Sequence, residues 1–492
     1  MNKIAVLTGC SMGLAVAASG AAKTNVLFII ADDLTSYALG CYGNDQCKTP
    51  NIDKLAEQGV RYTQAFCQFP VCGPSRASLM SGYYPNATKV FGYVSGRKAI
   101  GEKRDTWAQY FKKNGYYSAR VSKIFHMAVP RDIEQGTNGT DDPASWTERF
   151  NSRGLEWRSP GDAELVQNNP KGIIKRRGGN KMTVVKADGG DDVQPDGKTA
   201  TKARELLRLH KKEPFFLAVG FVRPHVPFVA PREYFKDYPF ESIKLPEKVE
   251  DDWNDIPPDG INYRTTSGMH MTLEQIKKAR AGYYACVTFM DAQVGKVLQA
   301  LHDEGLEDST IVIFTSDHGY FLGEHDFWMK VGLMDPSSRV PLIIKVPGKK
   351  PAVCDSFVEL LDLYPTVSKL CGLKIPPHIQ GKDISPTLDD ATYSVRDEIF
   401  CVNFKSFLIR TKKWAYIQHR ENASGGMELY DMTKDAGQFT SLAKNPEYAS
   451  VVKSMQESLK KKLKEVRTND LGKTYGKANA HTKKKLSKQA GK

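Results

Sequence analysis

Three short apolar runs, each cut off by charged residues, constrain this chain more than any other feature. Asn25-Val26-Leu27-Phe28-Ile29-Ile30-Ala31 stops at Asp32-Asp33. Pro214-Phe215-Phe216-Leu217-Ala218-Val219-Gly220-Phe221 runs into Arg223-Pro224-His225-Val226-Pro227, and Thr310-Ile311-Val312-Ile313-Phe314-Thr315 stops at Ser316-Asp317-His318-Gly319. An apolar run of this length without polar alternation reads as a strand buried on both faces, as in the parallel sheets of α/β proteins. Arg339 to Ile344 adds another, and Tyr116 to Val121 fits a strand. Helical spacing marks 49–58, closed by Gly59, then 106–114, 196–210 and 357–370. The long amphipathic stretch 272–301 reads as core packing without a site. In open α/β sheets ligands bind beyond the carboxyl ends of the strands, so the charged turns are where chemistry is expected.

After about Leu388 the pattern changes to short strands with polar turns: 398–403, 406–410, 414–419 and 427–430, followed by a helix over 449–464. A small antiparallel sheet covered by a helix is expected. A chain of 492 residues exceeds one ordinary core. The division read from the sequence is a signal peptide over 1–22, a catalytic domain over 23–388, the antiparallel subdomain over 389–465 and a lysine-rich, disordered tail over 466–492. Lys3, an apolar stretch from Ile4 to Val16 and the small residues Ala17 to Ala22 fit secretory cleavage. Leu7-Thr8-Gly9-Cys10 resembles a lipoprotein box, but the apolar stretch before it is short, and simple cleavage ranks above lipid anchoring. The chain is therefore expected to be exported, to a periplasm or the exterior. No later run approaches the roughly 18 apolar residues of a membrane span.

Nine cysteines do not make a disulfide scaffold. Cys41 and Cys47 are close enough to pair, and most others, such as Cys286, read as buried free thiols. The polar excursion from Pro130 to Asp196 reads as a long loop carrying a lid or specificity elements. A formal charge of +14 favours anionic partners, among them sulfated glycans, nucleic acid and anionic surfaces. The lysines are partly concentrated after Lys460. The sequence holds no zinc-spaced cysteine set, phosphate-binding glycine loop or nucleic-acid module.

Chemistry concentrates at Val71-Cys72-Gly73-Pro74-Ser75-Arg76-Ala77-Ser78-Leu79-Met80-Ser81-Gly82. Pro74 fixes φ near the helical value and lacks an N–H that a first helical turn does not use. The segment reads as a loop delivering Cys72 to a helix N-terminus, where free N–H groups and the dipole favour an anion. Arg76 adds a permanent cation with a fork shaped for oxyanions. Asp32-Asp33 reads as a hard-cation site in preference to a helix cap. Lys123 and His126, three apart, share one side of a helical turn if one forms.

Cys72-Gly73-Pro74-Ser75-Arg76, followed by Ala-Ser-Leu-Met-Ser-Gly, resembles the Cys-x-Pro-x-Arg signature of type I sulfatases in the alkaline-phosphatase-like superfamily. Asp32-Asp33, Thr49-Pro50-Asn51-Ile52-Asp53, Lys123-x-x-His126, Pro224-His225-Val226-Pro227, Ser316-Asp317-His318-Gly319 and Gly323-Glu324-His325 with Lys330 match the family in order. Ser122 stands where relatives usually have glycine. The Pro-His-x-Pro and Ser-Asp-His-Gly segments are most similar to the iduronate-2-sulfatase branch. The resemblance implies a large, mixed but mainly parallel sheet sandwiched by helices, with the smaller antiparallel subdomain after it. It implies oxidation of Cys72 to formylglycine by a maturation enzyme. It implies one divalent cation, Ca²⁺ before Mg²⁺, held by Asp32, Asp33, the modified Cys72, Asp317 and His318. Arg76, Lys123 and Lys330 would offset sulfate charge, and Asp317 would take the diol proton. His225 or Lys330 would protonate the leaving alcohol, and His126 would accept the second diol proton. The substrate implied is a sulfated sugar or polysaccharide, without nucleic acid. Two alternatives stand beside this: a phosphonate or phosphate ester hydrolase of the same superfamily, and a non-catalytic exported binder of sulfated glycans.

Overall fold

The strand Asn25–Asp32 occupies the middle of a nine-stranded sheet. In this computed structural model, residues 23–169, 172–173 and 181–473 are described. The expected signal peptide and the tail beyond 473 lie outside them. On one side Asn25–Asp32 pairs in parallel with Thr310–Ser316, and on the other with Phe215–Pro224. The three apolar runs are thus adjacent, and the register sets Ala31 beside Ser316 and Asp32 beside Pro224. Their charged turns emerge together at one edge. Tyr117–Ser122 and then Glu148–Phe150 extend the parallel side. Beyond Thr310–Ser316 lie Arg339–Lys345 and Val60–Phe66, and only Arg339–Lys345 runs against its neighbours.

Both faces of the central strand are covered, which is why its sequence does not alternate. Leu27, Ile29 and Ala31 pack in one core with the helices Pro195–Leu209 and Leu273–Asp303. Val26, Phe28 and Ile30 pack in a second core with Trp107, Phe111 and Leu363 on the other face. Each such side chain contributes roughly 1.5–3 kcal/mol on burial. Leu273–Asp303 starts at a reciprocal cap, where the Thr272 side chain accepts from the Gln275 N–H and Gln275 accepts from the Thr272 N–H.

The antiparallel subdomain has four strands, Glu398–Val402, Ser406–Thr411, Trp414–His419 and Met427–Asp431, paired in chain order. The helix Ala449–Arg467 lays Val452, Met455, Leu459, Leu463 and Val466 on Phe400, Ile409, Tyr416 and Leu429. The expected fold class therefore holds. Three local expectations do not. The excursion from Pro130 is not simply a loop: it supplies the sheet's edge strand Glu148–Phe150. Its Gly161–Leu165 and Thr183–Ala187 also join Phe228–Pro231 in a separate three-stranded sheet. The stretch 357–370 begins as a short strand, Val358–Glu359, before its helix at Leu363–Leu370. Cys41 and Cys47 are both free, with the Cys47 thiol turned inward toward the Tyr284 carbonyl at 3.9 Å. Among the described residues no helix is long and apolar enough to cross a membrane.

Candidate active site

Helix Cys72–Ser81 starts at Cys72, with Val71 extended before it and left-handed Gly82 closing it. All ten of its residues are buried. The helix end points at the emerging turns of the central strands, and three groups from three other elements close around Cys72. Its Sγ lies 3.6 Å from Asp33 Oδ1, 3.3 Å from His318 Nε2 and 3.2 Å from Lys330 Nζ. Lys330 Nζ also donates to Asp33 Oδ1 at 2.6 Å. His318 Nε2 lies 3.2 Å from Asp33 Oδ1 and 3.7 Å from Asp317 Oδ1.

Each acid is fixed by groups the fold supplies. Asp317 Oδ1 accepts from the N–H groups of Asp33 and His318, and its Oδ2 accepts from Arg76 Nε at 2.8 Å. Asp32 pairs with Lys123 Nζ and with Arg76 Nη2. Against the cost of burial, Lys123, His225 and Arg76 hold the Asp32 carboxyl well below the usual carboxylate range. Asp33 is likewise held low against burial, by His225 and Lys330. Asp33 Oδ2, fully buried, has no hydrogen-bond partner among the described residues. His225 Nε2 faces it at 3.8 Å.

The two histidines are oriented from behind. His318 Nδ1 donates to the Gly319 carbonyl at 2.8 Å and His225 Nδ1 to the Val226 carbonyl at 2.5 Å. In the neutral ring each Nε2 then carries its lone pair toward the carboxylates, the arrangement of a ligating imidazole. One ligand atom each from Asp32, Asp33, Cys72 and His225 lie within 4.8 Å of one another, as do those of Cys72, Asp317 and His318. Cys72 joins the two sets. An unpartnered buried carboxylate oxygen facing a carboxylate-rich cluster fits a hard divalent cation. The set contains the five expected ligands and adds His225, which the sequence suggested only as a proton donor.

Other residues fall differently from expectation. Arg76 is held entirely by protein groups. Its three nitrogens bond Asp317, Asp32 and the carbonyls of Ala31, Lys123 and Ile124, and it is wholly buried. Its fork braces two acids and one turn from below. Lys123 and His126 are not on a helical turn, because Ser122 takes φ +62° and bends the chain sharply after its strand. The bend brings the Lys123 backbone against the sheet so closely that a Cβ on Gly220 would meet its carbonyl oxygen at 2.1 Å. Lys123 reaches Asp32, whereas His126 stacks on Tyr93 with ring centroids 4.3 Å apart. Burial, with the Lys123 charge, holds the His126 imidazole well below its ordinary value. Arg223 points away from the cluster. It pairs with Glu156 at 2.5 Å and donates to the carbonyls of His225 and Pro227, so it braces the loop that aims His225. His325 pairs with Asp252 at 2.9 Å, outside the site.

One contribution carries no sequence signal. Tyr283, on the long helix read as core only, donates through its hydroxyl to the Asp33 carbonyl at 2.8 Å and accepts from the Thr35 N–H. It pins the Asp33 turn, whose φ is +64°. Asp33, Ser122, Met329 and Val331 all have positive φ, so backbone strain gathers around the cluster.

The family model described as Sulfatase matches residues 24–373. The chain belongs to the sulfatase family. This sulfatase also matches, over 323–465, the model for the C-terminal part of N-sulphoglucosamine sulphohydrolase. It is 31% identical to a sulfatase of Formosa agariphila over 89% of this chain and 87% of that protein. It is 34% identical to iduronate 2-sulfatase of Homo sapiens over 72% of this chain and 70% of that protein. In fold it is similar to the phosphonate monoester hydrolase of Agrobacterium radiobacter, with a TM-score of 0.74 and 23% identity over 92% of this chain and 97% of that one. The sulfatase is a sulfuric ester hydrolase, as its motifs predict.

Proposed function

We propose that this sulfatase removes sulfate from a sulfated carbohydrate, with Cys72 carried as formylglycine after oxidation by a maturation enzyme. The observation that carries the reading is the convergence of Asp32, Asp33, Asp317, His318 and Lys330 on residue 72 at a helix N-terminus. The cysteine as encoded suits the role poorly: burial and the Asp32 charge push its thiol up, away from the nucleophilic thiolate. A formylglycine hydrate supplies two oxygens, one to attack sulfur as the alcohol leaves and one to collapse to the aldehyde and release sulfate. Asp32, Asp33, residue 72, Asp317 and His318 would hold a divalent cation, Ca²⁺ before Mg²⁺ for so oxygen-rich a set, with His225 beside them. Such an ion polarises sulfate oxygens and acidifies the nucleophile.

The chain's own residues do the rest. Lys330, the cation beside Sγ, faces the incoming sulfate, and Lys123 lends its charge from behind Asp32. Asp317 would take the first diol proton. His126, held neutral, is a free base for the second. We assign protonation of the leaving alcohol to Lys330. Against burial, Asp33 raises its ammonium well above the usual value, whereas burial drags His225 down to about 3, so of the two Lys330 holds a proton at neutral pH. The segment 1–22 would export the chain to the compartment where sulfated polysaccharides are met.

Steady-state kinetics on a panel of sulfated mono- and oligosaccharides, 2-O-sulfated uronates among them, tests the reading against phosphonate and phosphate monoesters. Turnover of at least one sulfated sugar above any phosphoester supports it. Preference for the phosphoester, or sugar binding without turnover by protein matured at Cys72, overturns it.

A further inference from the structure

The sulfate cluster is buried, but its approach is not uniformly polar. Tyr93 is 49% exposed and Tyr263 is 50% exposed. Both stand at the site. One face of Tyr93 is covered by the His126 ring, at an interplanar angle of 21°. Its Cδ1 lies so near Gly73, the residue after Cys72, that a Cβ there would sit 3.0 Å from it. The remaining surface of the ring is open beside the nucleophile. Tyr263 hangs over the other approach: its hydroxyl donates to Met329 Sδ at 3.5 Å, the residue before Lys330, and the preceding Asn262 anchors to the Trp328 carbonyl at 2.9 Å. The two phenols are near enough for the charge of one to be felt by the other.

Sulfate needs only the cations and the metal ligands. Two half-open tyrosines above them serve whatever carries the sulfate. A sugar ring presents C–H groups on its faces and hydroxyls at its rim, and tyrosine offers a π-face for the first and an O–H for the second. A rigid ring held by two χ angles does this at low entropic cost.

We infer that Tyr93 and Tyr263 form the walls that receive the sugar ring bearing the scissile sulfate, and so set selectivity for cyclic over acyclic sulfate esters. The inference rests on the carbohydrate reading above. It is tested by kcat/KM for a sulfated monosaccharide and for glyceryl sulfate, an acyclic sulfate ester, in wild type, Tyr93→Phe, Tyr93→Ala and Tyr263→Ala, all matured at Cys72. Each alanine variant is expected to lose roughly five- to tenfold on the sugar relative to the acyclic ester, mostly through KM, and Tyr93→Phe to keep most of its selectivity. Tyr263→Ala guards against an indirect effect, because its ring does not stack on His126. Equal losses on both esters in both alanine variants, or no loss on the sugar, overturn the inference and leave the carbohydrate reading standing. A wild-type protein that hydrolyses glyceryl sulfate but no sulfated sugar overturns the reading and the inference together.

Discussion

Ser122 shows how one residue can carry strain for a site. Its φ of +62° is a conformation that costs a side chain about 1 kcal/mol or more. Its hydroxyl is also buried without a partner among the described residues. Ser122→Gly is therefore expected to raise stability by about 1 kcal/mol, read as a higher urea midpoint at unchanged m. An unchanged or lower midpoint would mean that the turn is not strained there. The roles of Lys330 and His225 separate at the same scale. If Lys330 protonates the leaving oxygen, Lys330→Ala loses far more activity on a sugar sulfate than on an activated aryl sulfate, roughly 10²-fold in the ratio. His225→Ala, acting beside Asp33, loses both alike. The reverse pattern would move the acid to His225. Motif spacing made Asp32, Asp33, Cys72, Asp317 and Lys330 legible in the sequence, because each sits at a strand end or a helix start. It did not reveal that Arg76 braces Asp32 and Asp317. Nor did it reveal that Tyr283 pins the Asp33 turn. Both depend on which side chain arrives from an element more than 40 residues away.

At the scale of elements, strands buried on both faces announced themselves. Asn25–Asp32, Phe215–Pro224 and Thr310–Ser316 are continuous apolar runs because both sides meet a core. Gly161–Leu165 was hidden, since it is largely exposed and Gly, Asp, Ala and Glu are residues that strands disfavour. Val358–Glu359 was hidden by its length, two residues paired to an edge. The helix Ala449–Arg467 was legible from its i, i+3, i+4 apolar stripe, which meets the antiparallel sheet in a single layer. Leu459, 1% exposed at the centre of that stripe, is expected to cost 2–5 kcal/mol when replaced by alanine. A drop in the thermal midpoint with kcat retained in the surviving folded protein would show that the subdomain supports the fold and takes no part in the chemistry. A loss of kcat without loss of stability would contradict that.

At the scale of the whole molecule, one buried centre ties the elements together. Three carboxylates, three cations and two histidines converge from four strand ends, one helix start and the Lys330 segment. Buried ions on this scale are costly unless every one is paired, and the Asp33 oxygen left unpartnered marks where the balance is incomplete. A bound divalent cation would complete it. Exhaustive chelation is then expected to abolish sulfatase activity and lower the thermal midpoint. Ca²⁺ should restore both, with the midpoint rising as the free ion passes its Kd, by about 2.7 kcal/mol of stability at one hundred times that value. Full activity after chelation would remove the ion from the proposal. The most direct test of the central claim is the mass of the proteolytic peptide spanning Cys72, taken from protein that is actively hydrolysing a sulfate ester. The expected result is residue 72 as an aldehyde or its hydrate, in proportion to specific activity across preparations. An intact thiol at residue 72 in fully active protein would contradict it.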